Sequence, residues 1–415
     1  MKSNKVELLA PAGNFEKLEI AIHYGADAVY LGGKDFSLRN FSGNFSLDGI
    51  EQAIAYSHDR GIKVYVAVNI YARNDEQQYI AEYLEKLGTL GPDGIIVADP
   101  GVFLTARELL PQIPLHLSTQ ANSTNYKTVE FWGRLGVRRI NMARELTLAE
   151  IKAISEQTQI EIEAFVHGAM CIAYSGRCLL SSFMANRHSN RGMCAHPCRW
   201  KYALVEELRD GEYMPIAEDD RGTYIFNSKD LCMIEHIPAM IDSGVSALKI
   251  EGRMKGINYL ATVVKVYREA IDRYYQDPMD YAVEPEWLVE LTRIDHRGFC
   301  SGYYFDDPQQ TQPDFDFKMA TETHRFIGKV LTAADDGDML MEVRNKCQVG
   351  DPVEILSPGQ AIRKTSIGSM RDDEGNPIQI AQPNTRAYPD LGLKTKPNDL
   401  IRKPVLVQPI VSGEL

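Results

Sequence analysis

The chain has 415 residues, 44% hydrophobic and 25% charged, values ordinary for a folded globular protein, which excludes disordered, collagen-like and fibrous classes. That length accommodates two or three domains, or one barrel of about 250 residues with an appendage. With 45 Lys and Arg against 57 Asp and Glu the net charge is −12, so binding of nucleic acid would need a local basic surface rather than whole-molecule attraction.

The opening MKSNKVELLAPAG has no apolar signal region, and no later stretch reaches about 18 uninterrupted apolar residues, so a cytoplasmic protein with no membrane partner is expected. In that reducing compartment the seven cysteines point to metal or redox chemistry before disulfides.

From the first residues, short β-rich apolar runs alternate with amphipathic helical runs, the pattern of repeated βα units around a parallel sheet. Eight strands are predicted, over residues 6–11, 28–31, 64–70, 94–98, 115–119, 139–143, 160–166 and 247–250. Helical patterns such as NFEKLEIAIHYG and SLDGIEQAIAYSHDRG follow most of them and end in a Gly suited to a left-handed cap. An open doubly wound sheet would usually carry a Gly-rich nucleotide loop after its first strand, and LLAPAGNFEKL has none. The predicted architecture is therefore a TIM-like (β/α)8 barrel over residues 1–280, closed by the helix NYLATVVKVYREAIDRYY, with a cysteine-rich insertion after strand seven at about 169–232. A mixed connector follows at 281–323. From 324 to 415, short alternating segments broken by Gly, Asp and Pro predict a small C-terminal β-barrel domain.

The insertion concentrates the chemistry. Cys171, Cys178, Cys194 and Cys198 fall within 28 residues, and Cys232 follows. Their spacing lacks the paired C-x-x-C knuckles of structural zinc sites and is compatible with an iron–sulfur cluster, whose core rather than a tight turn sets the ligand separations. Zinc and inert buried thiols stay open on spacing alone. Residues 164–205 contain no Asp or Glu, while Arg177, Arg187, Arg191, Arg199 and Lys201 supply positive charge. Arg187, Arg191, Arg199 and Lys201 are the candidate RNA-binding cations, with Trp200 and Tyr202 as stacking faces; the bland reading is that these cations only neutralise an anionic centre. Polar residues at the carboxyl ends of barrel strands complete the candidates. Asn69, Asp99, Gln120 and Asn122 would line the mouth. Glu163, buried in strand seven, would need a partner to stay charged, or have its pKa raised for acid–base work. His167 would move protons or merely bond backbone, and Glu251 would hold Arg253, which would clamp a carboxylate, or the two would form a structural ion pair. No G-x-S-x-G elbow or H-E-x-x-H helix is present, so hydrolysis would have to rest on something like Cys171 with His167, neighbours in one loop.

The run EAFVHGAMCIAYSGRCLLS at 163–181 resembles the signature of the collagenase-like peptidases of unknown catalytic type, family thirty-two of the U class. ELLAPAGNFEKLEIAIHYGADAVYLGG at 7–33, KIEGR at 249–253 and HRGFCSGYYF at 296–305 are similar to further hallmarks of that family. The length and single small C-terminal domain look most like its tRNA-modifying branch. The resemblance implies an enzyme that hydroxylates the wobble uridine in the tRNA anticodon loop to 5-hydroxyuridine, using a [4Fe-4S] cluster and a small-molecule oxygen donor, prephenate being the one implied. It places cluster ligands at Cys171, Cys178 and Cys194, with Cys232 as the fourth and Cys198 as the alternative, and leaves Cys300 and Cys347 as ordinary thiols. Of the strand-end residues, Asn69, Gln120 and Asn122 are the candidates for cofactor binding and Glu163, His167, Glu251 and Arg253 for catalysis. Peptidase activity, and hydroxylation of another RNA or of a ubiquinone precursor, are the alternatives; oligomeric state is not legible.

Overall fold

The computed structural model describes residues 5–37, 43–171, 173–199, short strands at 204–205, 213–214, 217–219 and 222–224, and residues 229–305, 323–334 and 338–405. Eight parallel strands form the barrel: β1 Glu7–Pro11, β2 Ala28–Gly32, β3 Lys63–Val68, β4 Gly94–Val97, β5 Leu115–Leu117, β6 Arg139–Asn141, β7 Glu161–Ala169 and β8 Ala247–Ile250. Each pairs with its successor, and β8 closes the ring by pairing with both β7 and β1, Leu248 lying opposite Leu8. The eight predicted strands are therefore the eight staves.

Local sequence explains the alternation. Strands such as ELLAP and AVYLG are buried along their whole length, as expected when helices cover the outer face and side chains fill the inside. The helices start at side-chain caps: Asn14 before α1 (Phe15–His23), Ser46 before α2 (Leu47–His58), Asp99 before α4 (Pro100–Leu109), Asn125 before α5 (Tyr126–Arg134) and Thr147 before α6 (Leu148–Ser155). Each cap oxygen accepts a first-turn N–H that the helix itself leaves unpaired. Asp99, a mouth candidate by sequence, is such a cap. Between them α3 (Gln77–Leu90) ends on Gly91 in the left-handed region, φ 68°. After the insertion come α7 (Ile237–Asp242) and the 20-residue α8 (Ile257–Gln276), which packs along β1 and α1 and completes the helical ring.

Most of the apolar core lies between the strands and this ring, while Leu9, Ala28, Tyr30, Tyr65, Ala67 and Ile96 form a small apolar cluster of their own on the strands. The expected C-terminal β unit is a seven-stranded antiparallel sheet running from His324–Ala333 to Leu400–Pro404, with its own core around Ile327, Met341, Val343, Ile355 and Ile401. The connector packs against both neighbours: the Tyr304 hydroxyl donates to the Phe165 carbonyl at 2.6 Å, and Glu290 pairs with Arg402 at 2.6 Å. No described helix is long and apolar enough to cross a membrane.

Candidate active site at the barrel mouth

A layer of charge fills the barrel beneath the mouth. The Glu7 carboxylate accepts from Arg139 at 2.6 Å and from the Tyr65 hydroxyl at 2.9 Å. Burial would raise its pKa, but Arg139, Lys63 and the Tyr65 bond outweigh that and hold it below the ordinary range. Above it, Lys249 Nζ donates to Glu163 Oε1 at 2.7 Å and lies 4.5 Å from the centre of the Tyr30 ring. Arg139 approaches the other Glu163 oxygen at 3.7 Å. Glu163 thus has the partner a buried carboxylate needs, and that partner is a lysine in the middle of an apolar strand.

At the carboxyl ends of the strands lies a cavity of about 160 Å³. Its lining includes Cys171, Cys178, Cys194 and Cys198 from the insertion, Asn69, Gln120 and Asn141 from the strand ends, and the charged groups Arg144, Lys249, Glu251 and Arg253. The insertion is seated by close contacts. Gly176 has φ +78°, and a Cβ there would come within 2.7 Å of the Tyr71 hydroxyl and 3.1 Å of Gln120 Cβ, so only glycine lets the loop turn this near the barrel. Arg191 forms a two-pronged pair with Glu76, at 2.5 and 2.9 Å, and also donates to the Tyr71 carbonyl. Ser189 donates to the Cys178 carbonyl at 2.8 Å and Ser181 Oγ accepts from Ala195 N at 2.9 Å.

Gln120 is the hub of the polar wall. Its side-chain oxygen accepts from Asn69 at 2.7 Å and Ser118 at 2.9 Å, and its amide donates to the Asn69 carbonyl. Asn122, φ +54°, donates to the carbonyls of Gln120 and Ser175 and holds the two loops together without lining the cavity. Arg144 lies 3.8 Å from the Phe165 ring centre, donates to Ser175 Oγ at 2.7 Å and stands 3.6 Å from Glu251. Glu251 is thus placed on Arg144, while the Arg253 guanidinium donates to Ser37 at 2.9 Å and to Asn44 at 2.8 Å.

Other sequence candidates are placed elsewhere. His167 is 1% exposed, ringed by Tyr259, Tyr267 and Phe299, and does not line the cavity. Burial pulls its pKa down to about 3, so at neutral pH it is the uncharged imidazole. Cys232 ends a short strand, Asp230–Cys232, that pairs antiparallel with β7 and sets Cys232 opposite His167. Its thiol accepts from the Tyr267 hydroxyl at 3.9 Å, is pushed up to about 11 by burial and is not part of the cavity lining. Cys300, on the neighbouring two-residue strand Phe299–Cys300, and Cys347, in the C-terminal core, are both buried. Arg191 is consumed by Glu76, so of the RNA-binding candidates it does not offer an unpaired charge; Arg187 Nε donates to the Met193 carbonyl at 3.1 Å. Trp200, Lys201, Tyr202 and the side chain of Arg199 lie outside the described residues.

Asn141, Arg144 and Lys249 were not among the candidates chosen from sequence. The signal was available for Lys249, a lysine inside the apolar run ALKI, since such a residue survives burial only when paired. Arg144 follows the end of β6, where a barrel mouth residue is expected.

As placed, no three His, Cys, Asp or Glu side chains among the described residues converge on a single ion. Four cysteines around one cavity nevertheless form a sulfur-rich donor set, beside Arg144, Lys249 and Arg253, whose side chains can receive anions. The fold and this site define a barrel enzyme class with a cysteine-lined mouth. The chain belongs to peptidase family U32, whose model matches residues 13–314, and the family's C-terminal domain matches 322–402. It is 41% identical over 97% of its length to tRNA hydroxylation protein P1 of Bacillus subtilis, covering 95% of that protein. It is 36% identical to tRNA hydroxylation protein P of Escherichia coli, with 91% of each chain covered. A protein of Porphyromonas gingivalis named collagenase is 29% identical, over 96% of this chain and 98% of that one.

Proposed function

We propose that this protein is an iron–sulfur-dependent tRNA hydroxylase that forms 5-hydroxyuridine at the wobble position. The observation that carries the reading is the cavity itself: four thiols and three cations at the carboxyl end of a barrel, in a chain 41% identical to a protein named for tRNA hydroxylation. Cys171, Cys178 and Cys194 would hold a [4Fe-4S] cluster, with the fourth thiolate from Cys232, as the family resemblance implies, or from Cys198, which shares the cavity. A cluster several ångströms across takes ligands that do not meet at one point. When bound, the cluster would supply electron transfer or Lewis acidity.

The chain's own residues do the rest. Arg253 and Arg144, each already oriented by hydroxyl or carboxamide partners, would clamp a carboxylate of a prephenate-like donor through paired hydrogen bonds. The Gln120 and Asn69 carboxamides, locked to each other, would present fixed polar edges to the substrate. An extruded uridine would enter from the insertion side. Peptidase chemistry has less support, because His167, the base that Cys171 would need, is buried away from the cavity.

The deciding experiment is nucleoside mass spectrometry of tRNA from a deletion strain, with a casein and collagen digestion assay of anaerobically purified protein. Loss of 5-hydroxyuridine without proteolysis is expected; proteolysis with intact tRNA would select the peptidase. The same preparation should contain iron and sulfide, and Cys171→Ala, Cys178→Ala and Cys194→Ala should each lose both iron and hydroxylation while Cys347→Ala keeps them. Iron content of Cys198→Ala against Cys232→Ala identifies the fourth ligand.

A further inference from the structure

The short helix Leu180–Ala185 stands between Cys178 and Ser189, two residues of the cavity wall. It does not bury an apolar face as a helix of the ring would. Phe183 is 90% exposed, Leu179 69% and Met184 37%, with Tyr174 at 48% a short way before them. Scattered apolar residues on a surface are unremarkable, but four large ones within eleven residues beside a cavity mark a contact surface. Its electrostatics specify the occupant. Residues 164–205 contain no carboxylate side chain, and Arg177 in the same loop is exposed. Two exposed aromatic rings, Tyr174 and Phe183, in a loop whose own charged side chains are all cationic match a polyanion with stacking faces.

Base extrusion supplies a specific task. Taking a nucleotide out of a stacked loop leaves a gap, and the unstacking penalty is offset when an apolar side chain fills it. We infer that Phe183 is that plug: it stacks in the anticodon loop in the place of the uridine that enters the barrel mouth, with Leu179 flanking it. This rests on the tRNA reading above and names the residue that would hold the loop open. Phe183 touches neighbouring bases, not the reacting atoms, and is therefore a positioning residue.

The test uses the full-length anaerobic protein and a short anticodon stem-loop RNA with 2-aminopurine in place of the wobble uridine, whose fluorescence rises when that base leaves the stack. Wild type should bind and brighten the probe. Phe183→Ala should bind about tenfold or more weakly, in line with the loss of one base–aromatic stack, and lose most of the brightening, while Phe183→Trp retains both. Phe131→Ala, a 56% exposed phenylalanine on outer helix α5, should match wild type. Because Phe183 is exposed, all variants should share one melting temperature. Equal affinity and brightening in wild type and Phe183→Ala would overturn the plug while leaving the tRNA reading intact. Failure of wild type to bind either the hairpin or whole tRNA would remove that reading and the plug with it.

Discussion

The buried Lys249–Glu163 pair shows what single residues contribute here. Both side chains are nearly inaccessible, at 7% and 3% exposure, so the pair's attraction mainly offsets the desolvation of its own members. Removing one member is then far worse than removing both. Lys249→Met should lower stability by about 3–5 kcal/mol in urea unfolding, and the double variant with Glu163→Gln should recover much of that loss. A single variant costing under about 1 kcal/mol would mean that Arg139, 3.7 Å away, takes over the carboxylate unaided. His167 gives a second residue-level expectation. With its pKa held near 3 by burial, it cannot contribute a limb to an activity profile between pH 5 and 8, so His167→Gln should change the rate without changing the profile's shape. Loss of a limb in that variant would return His167 to the acid–base machinery.

At the scale of elements, the Arg191–Glu76 pair is one of the contacts that attach the insertion to the barrel. Its hydrogen bonds hold Glu76 below the ordinary carboxylate range and Arg191 above its own. Arg191→Ala should therefore speed amide exchange across residues 171–198 and leave the barrel strands protected. Since Glu76 cancels the Arg191 charge, the same variant should leave the salt dependence of RNA binding nearly unchanged, whereas Arg177→Ala should reduce its slope by about one counterion. A lower slope in Arg191→Ala would mean that RNA pulls the arginine away from Glu76. The cluster of Gln120, Asn69 and Asn122 belongs to this scale too, because loops after β3, β5 and β7 are tied through it.

The whole molecule is joined at a buried charged seam. Glu354 of the C-terminal sheet accepts from Arg402 at 3.0 Å and Arg293 at 3.2 Å, and Arg402 also reaches Glu290 of the connector. Nearby, Tyr24 of the barrel donates to the Leu356 carbonyl at 2.7 Å. Burial would raise the Glu354 pKa, yet His324, Arg402 and Arg293 bring it down to about 2. A carboxylate whose folded pKa is depressed below its ordinary value of 4.5 contributes stability that is complete above the unfolded pKa and is lost as pH falls through the folded one. Acid should therefore weaken the docking of the two units progressively from about pH 4.5 toward 2, and Glu354→Gln should flatten that part of a stability–pH curve. An unchanged slope would assign acid sensitivity to other carboxylates. Tyr24→Phe should cost about 1–3 kcal/mol by leaving a buried carbonyl unpaired.

The architecture was legible in the sequence because most barrel strands are apolar runs and five of the ring helices start at a polar side-chain cap, all local signals. Cys171, Cys178, Cys194 and Cys198 were legible as a group because one loop carries them, and the loop's place after β7 put them at the mouth. Pairings between distant residues were not. That Glu251 lies on Arg144, that Arg253 is cradled by Ser37 and Asn44, that Glu76 neutralises Arg191 and that His167 faces a wall of tyrosines all depend on which strands become neighbours when the ring closes. By itself the sequence determined the barrel, its cysteine-rich mouth and the C-terminal sheet, since hydrophobic period and turn chemistry act over a few residues. Only the tertiary structure decided which charges are spent on one another and which face the cavity, because Coulombic and hydrogen-bond partners are chosen by distance in space.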